Sequence, residues 1–336
     1  MNPDRADYVR FIISTQTNYT QTYFADHSRH FSHDSINRYL REDCITPCSI
    51  WPIIKKRINF SQKGYIIFDD TVLDKRHSFN IQLVRRQYSG NEHGLVKGIG
   101  VVNCIYVNPE TKEYWIIDWR IYDSDTDGKS KIDHVMDMLD HALQHKKIPF
   151  QTVLVDSWYG SKELLLHIEK ANKHYYLPLK CNRNVDDSGG QESYRRVDQL
   201  LWNYSEREHG KLVKLKGFPK DHKVKLLRVE ATNRTEFIVT NDLSQNSTIE
   251  TGKTCAIRWD IEQYHREVKQ TLGIENCQCR LARAQKNHIA CVVLAWTVFT
   301  EQARKLKTNI YALKKELLSD YMRTQLETLS VPDLSY

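Results

Sequence analysis

The sequence predicts an α/β fold: a mixed, five-stranded sheet flanked by helices, with a helical module before it and a β-rich insert late in the chain. Three observations lead there. Two short runs of consecutive apolar residues, Tyr65-Ile66-Ile67-Phe68 and Thr152-Val153-Leu154-Val155, have the pattern of central strands covered on both faces. Between and after them, β-branched strands alternate with segments of helical period. Each apolar run closes on aspartate, Asp69-Asp70 in the first and Asp156 in the second. A carboxylate at the exit of such a strand sits at the sheet edge where α/β folds hold their ligands, although aspartate is also common as a helix cap or turn former.

Residues 1–60 have mostly helical character, near 5–13, 19–24 and 31–41, with Ser32 placed to cap the third helix. Arg38 and Arg41 ride on that third helix, which is similar to the reading helix of a helix-turn-helix and equally has the pattern of a small packing helix with solvated arginines; the expectation for 1–60 is a DNA-binding module. The first strand covers 64–71. Strands at 97–107 and 114–122 follow, separated by the turn Asn108-Pro109-Glu110-Thr111. Residues 130–146 place Ile132, Val135, Met136, Leu139 and Leu143 on one helical side. A strand at 151–157, a helix at 161–171 and a strand at 174–179 complete five strands.

Residues 182–250 break this rhythm with a polar, Gly-rich stretch and short strands at 212–215, 223–228 and 235–240. Lys211, Lys214, Lys216, Lys220, Lys223 and Lys225 make the insert locally basic, as a DNA-facing or a solvated face would be. The longest apolar run, Ile289 to Trp296, fits a core helix, and 297–329 is helical and rich in Lys and Glu. The expected division is therefore 1–60, then 61–181 with 251–300 as the α/β domain, the insert 182–250, and a helical segment 301–336.

The most informative stretch is Arg258-Trp259-Asp260-Ile261-Glu262-Gln263-Tyr264-His265-Arg266-Glu267-Val268-Lys269. Wound as a helix at about 100° per residue, it gathers Ile257, Ile261, Tyr264, Val268 and Leu272 into an apolar stripe of roughly 80°. Arg258, Glu262, His265 and Lys269 fall along one flank of that stripe, while Asp260 and Glu267 lie far round. Solvated ion pairs at this spacing are common and contribute only about 0.3–0.5 kcal/mol each. One carboxylate between two long cations at the edge of a buried face also suits a metal ligand beside bound phosphate.

The net charge of +7 over 336 residues is a moderate basic bias that suits a phosphate-bearing partner. No apolar run approaches the length of a membrane span and the start has no signal-peptide pattern, so an intracellular, soluble chain is expected. Eight cysteines without CxxC pairs fit reduced thiols. Cys277-x-Cys279 with His288 and Cys291 lacks the usual spacing of a zinc site.

Taken in order, the two strand-end aspartates and the helix-borne glutamate resemble the ribonuclease H-like DDE transposases of bacterial insertion sequences, in the group with a Tyr-x2-Arg-x3-Glu-x6-Lys signature. Arg258-x3-Glu262-x6-Lys269 fits, with Cys255 where the signature Tyr stands. Asp70-Thr71, Val155-Asp156-Ser157-Trp158-Tyr159, and Lys269-Gln270-x2-Gly273 running on to Cys277-Gln278-x-Arg280 are similar to that group as well. The resemblance spans about Gly64 to Trp296. It implies a ribonuclease H-like fold and Asp70, Asp156 and Glu262 as catalytic metal ligands. It prefers Asp70 to Asp69 because the family's aspartate directly precedes Thr; strand alternation alone does not choose. It also implies two Mg²⁺ ions, replaceable by Mn²⁺, and DNA contacts through Arg258, His265 and Lys269. Double-stranded DNA as partner, a homodimer in the synaptic complex and a bacterial cytoplasmic, nucleoid-associated setting follow from the same resemblance. Relatives that form hairpins stack a flipped base on a Trp of the insert; Trp202 is present, but no Trp neighbours Phe237-Ile238-Val239-Thr240 in sequence. Two alternatives stand beside transposition: a ribonuclease H-like nuclease that only cuts, and a catalytically decayed, transposase-derived DNA-binding protein.

Overall fold

The computed structural model describes residues 2–328 apart from 79, 91–93 and 232–233. The expectations for 329–336 lie outside the described residues. Four helices come first: α1 (Arg5–Ser14), α2 (Gln21–Asp26), α3 (His33–Glu42) and α4 (Pro47–Lys55). Next come β1 (Tyr65–Asp74), β2 (Arg85–Ser89), β3 (Gly94–Asn108), β4 (Glu113–Tyr122), the short α5 (Ser124–Asp127) and α6 (Lys131–Asp140). They lead to β5 (Thr152–Val155), α7 (Lys162–Lys170) and β6 (His174–Leu179). The insert supplies β7 (Asn184–Asp186), β8 (Arg195–Arg196), α8 (Tyr204–His209), β9 (Lys211–Leu215), β10 (Val224–Ala231) and β11 (Arg234–Thr240). Helices α9 (Thr248–Ala256), α10 (Trp259–Gln270), α11 (Ala282–Lys305) and α12 (Ile310–Thr328) close the chain. Among the described residues no helix is long and apolar enough to cross a membrane.

The strand order β4-β3-β1-β5-β6 is that of a ribonuclease H-like sheet. β3 and β4 pair antiparallel, whereas β1–β5 and β5–β6 pair parallel. The parallel part is the part covered on both faces: Ile66, Ile67, Phe68, Val153 and Val155 are wholly buried. The insert is β-rich, and it prolongs this sheet: β11 pairs antiparallel with β6, and β10, β9, β7 and β8 follow in order. The first strand does not stop at the aspartates. Thr71, Val72 and Leu73 are good strand formers and carry β1 on to Asp74.

The chain divides into two compact units, one of residues 1–57, 72–99 and 263–336, the other of 58–71 and 100–262. In the first unit α1, α3 and α4 pack on α11, so the helices of the expected N-terminal module share a core with the late apolar helix. Tyr8, Ile12, Ile36, Leu40, Ile50 and Ile54 are almost wholly buried there. Polar pins fix the packing. The Tyr8 hydroxyl and His288 Nδ1 are 3.0 Å apart, and the Asn287 amide donates to the carbonyls of Leu40 and Asp43 at 2.9 and 2.5 Å. Ser32 caps α3 as expected, accepting from the Ser35 N–H.

Candidate active site

The second unit brings four carboxylates to one edge of the sheet. The parallel register pairs Phe68 with Val155, and the next step of that register sets Asp69 level with Asp156. Alternate side chains of a strand point to opposite faces, so Asp69 and Asp70 diverge. An oxygen of Asp69 comes within 4.8 Å of one of Glu262, in the first turn of α10. Burial, then the charges of Asp156, Asp70 and Glu262, push the Asp69 carboxyl well above its ordinary range. Like charges held together in this way form a site that calls for a cation.

Asp70 is engaged differently. Lys131 Nζ, at the start of α6, meets one oxygen at 2.5 Å, and the Tyr159 hydroxyl donates to the other at 2.8 Å. Burial, then the charges of Asp70 and Asp69, push the Tyr159 phenol well above its usual range, so it remains a donor. Asp156 is the first residue of the turn leaving β5. Its Oδ1 accepts from the N–H groups of Trp158 and Tyr159 at 2.7 and 3.4 Å, which fixes the carboxylate. Helix α7 is capped by Ser161 instead. Arg258, just before α10, reaches Glu262 at 3.8 Å, a loose ion pair one turn apart.

The remaining expected residues belong to the first unit. His265, one turn beyond Glu262 along α10, is 6% exposed, and burial followed by the Lys269 charge pushes its imidazole down to about 3. It is neutral at physiological pH. Lys269 pairs with Glu275 at 2.9 Å and donates to the Val72 carbonyl at 2.9 Å. Arg38 and Arg41 are exposed on α3. Glu267, on the far side of α10, is buried and accepts from Trp296 Nε1 at 2.7 Å, a packing role.

Lys131 and Tyr159 escaped the sequence analysis. Tyr159 lay inside a quoted motif, but its aim at Asp70 depends on β1 and β5 lying side by side. Lys131 carried no local signal.

Oxygen ligands of this kind suit a hard divalent ion. The chain matches the family model described as "Transposase DDE domain" over residues 61–298. No curated protein matches it. Among solved structures it is similar to a piggyBac transposase synaptic complex with hairpin DNA, at 12% identity, 98% of this chain, 72% of that chain and TM-score 0.47. It is also similar to a Drosophila P element transposase strand transfer complex, at 11% identity, 50% and 36% coverage and TM-score 0.29. A third likeness is Ciona intestinalis Endonuclease V with DNA containing an inosine, at 11% identity, 66% and 96% coverage and TM-score 0.29. The family match takes in every carboxylate gathered at the sheet edge, and the chain belongs to the transposase DDE domain family.

Proposed function

We propose that the protein is the transposase of a bacterial insertion sequence, cutting DNA at the element ends and joining the freed 3′ ends to target DNA. The observation that carries this reading is the approach of Asp69 to Glu262 within 4.8 Å, with Asp156 level with Asp69 at the exit of β5 and its charge felt there, all within the family match. These three are the proposed metal ligands. The register and the repulsion felt by Asp69 favour it over Asp70, whose two oxygens are taken by Lys131 and Tyr159. Two Mg²⁺ ions, or Mn²⁺, would supply charge for the attacking and leaving oxygens when bound.

In each transfer a water or 3′-hydroxyl oxygen forms a new bond to phosphorus and loses its proton to solvent. The bond from phosphorus to the old 3′ oxygen breaks, and that oxygen ends as a hydroxyl. Asp156 is kept in place by the two backbone N–H groups it accepts. Asp70, tied to Lys131 and Tyr159, holds β1 to α6 and to the turn after β5. Arg258 is loosely paired and can turn to a phosphate. Lys269 would exchange Glu275 for DNA, and neutral His265 would offer a hydrogen bond rather than a charge. Arg38 and Arg41 are proposed to contact the duplex from α3, and a homodimer to bring two ends together in the nucleoid. Cys255, pushed up to about 12 by burial, stays a thiol and offers no phenol at the signature Tyr position.

The test uses the DNA flanking the gene as substrate, with labelled strands, in Mg²⁺ and Mn²⁺. Joining of a labelled 3′ end to plasmid DNA supports transposition. Metal-dependent cutting without joining would leave a nuclease.

A further inference from the structure

Beside Asp156, within the same unit, lies a polar cleft of about 470 Å³ that the chemistry above does not use. Its wall includes Trp158, Lys180, Asn182, Arg183, Asn184 and Lys216, and no carboxylate lines it among the described residues. Trp158 is locked to the candidate site through its N–H on Asp156, yet its residue is 49% exposed. Tyr159 packs against its ring edge-on, with centroids 4.9 Å apart, and the Lys131 ammonium stands 5.6 Å from its centroid. An indole held half open beside lysine and arginine side chains offers a face on which a further flat, negatively charged group can stack. Lys180, Arg183 and Lys216 make no ion pair among the described residues, and Arg183 Nε is buried without a hydrogen-bond partner.

An aromatic face, three cations and two amides are the chemistry of a nucleotide: a base to stack, phosphates to neutralise and base edges to meet. We propose that this cleft takes one unpaired nucleotide of the DNA strand next to the cleaved phosphate. Its base lies on Trp158 and its phosphates on Lys180, Arg183 and Lys216. This deepens the proposed DNA-cutting function and rests on it. It assigns Trp158 a binding role.

The probe is a duplex with a short single-stranded overhang carrying 2-aminopurine, bound by the full chain in Ca²⁺ at several salt concentrations. Wild type is expected to quench the 2-aminopurine and to bind the overhang more tightly than a blunt duplex. Trp158→Leu should abolish the quench and weaken overhang binding by about five- to twenty-fold, with Trp158→Phe close to wild type. The triple variant Lys180→Ala, Arg183→Ala, Lys216→Ala should lower the slope of log affinity against log salt by about two, from three cations at roughly 0.7 each on a single strand. If wild type binds and cuts DNA while Trp158→Leu keeps its quench and affinity, the cleft assignment is overturned and the proposed function stands. If wild type neither binds nor cuts DNA, both fall. Equal competition by a free mononucleotide would overturn the strand as occupant.

Discussion

Asp69→Asn and Asp70→Asn, one residue apart, are expected to change stability in opposite directions. In EDTA the carboxylates of Asp69 and Glu262 face each other within 4.8 Å. At an effective dielectric constant of about 20, that separation corresponds to a repulsion of about 3.5 kcal/mol. The Glu262 side chain is 32% exposed, and solvent screening reduces the figure to about 1–2 kcal/mol. At a pH where both carboxylates are ionised, Asp69→Asn removes this repulsion, so the second unit should gain about that much stability while losing DNA cleavage. Asp70→Asn breaks a pair whose side chains are only 11% and 17% exposed and leaves Lys131 without its counter-charge. Its expected cost is about 2 kcal/mol, with cleavage reduced but present. Urea unfolding in EDTA reads the first effect and nicking of supercoiled plasmid in Mn²⁺ reads the second. A destabilised Asp69→Asn that still nicks, beside a dead Asp70→Asn, would refute the reasoning and move the ligand to Asp70.

Three further outcomes are expected. Lys314, 7% exposed, donates to the carbonyls of Ile12 and Ile13, and burial lowers its ammonium from 10.5 to about 8. Because its folded-state value is depressed, the unfolded chain holds the extra proton between these limits, so stability should rise by about 3 kcal/mol from pH 8 to 10.5. Lys314→Met should lack that rise, and equal pH profiles for the two proteins would contradict it. Deleting residues 1–57 removes Tyr8, Ile12, Ile36, Leu40, Ile50 and Ile54 from the first unit's core. At about 1.5–3 kcal/mol per side chain the loss is as large as a typical domain stability of about 5–15 kcal/mol, so α11 should become accessible to protease; unchanged digestion would show otherwise. Arg38→Ala with Arg41→Ala should weaken duplex binding and lower its salt slope by about two, whereas an unchanged slope would exclude both from the DNA surface.

The central strands were legible because burial on both faces leaves an unbroken apolar run, as in Ile66-Ile67-Phe68 and Val153-Leu154-Val155. β2 was not, since Arg85-Arg86-Gln87-Tyr88 has no strand pattern of its own and is held by its register with β3. Helix α4 was obscured by Pro47 and Pro52, although proline at the first helical position favours a helix start. Glu262 and its flank followed from helical period alone. The choice between Asp69 and Asp70 could not, because it turns on how β1 pairs with β5. The contacts of Asp70 with Lys131 and Tyr159 bridge 61 and 89 positions and leave no local trace. Trp202 illustrates the same limit: it has no sequence neighbour in β11, yet its ring stacks on Phe237 with centroids 6.3 Å apart.

Site-directed radical cleavage tests most directly whether the carboxylates of β1, β5 and α10 hold a divalent ion. Fe²⁺ with ascorbate and peroxide, added to the full chain, cuts backbone beside the place where the ion binds, and mass spectrometry locates the cuts. Cuts near residues 69, 156 and 262, suppressed by excess Mg²⁺ and lost in the Glu262→Gln variant, are the predicted result. Cuts elsewhere, such as around Cys277 and Cys279, or cuts indifferent to Mg²⁺ and to Glu262, would contradict it.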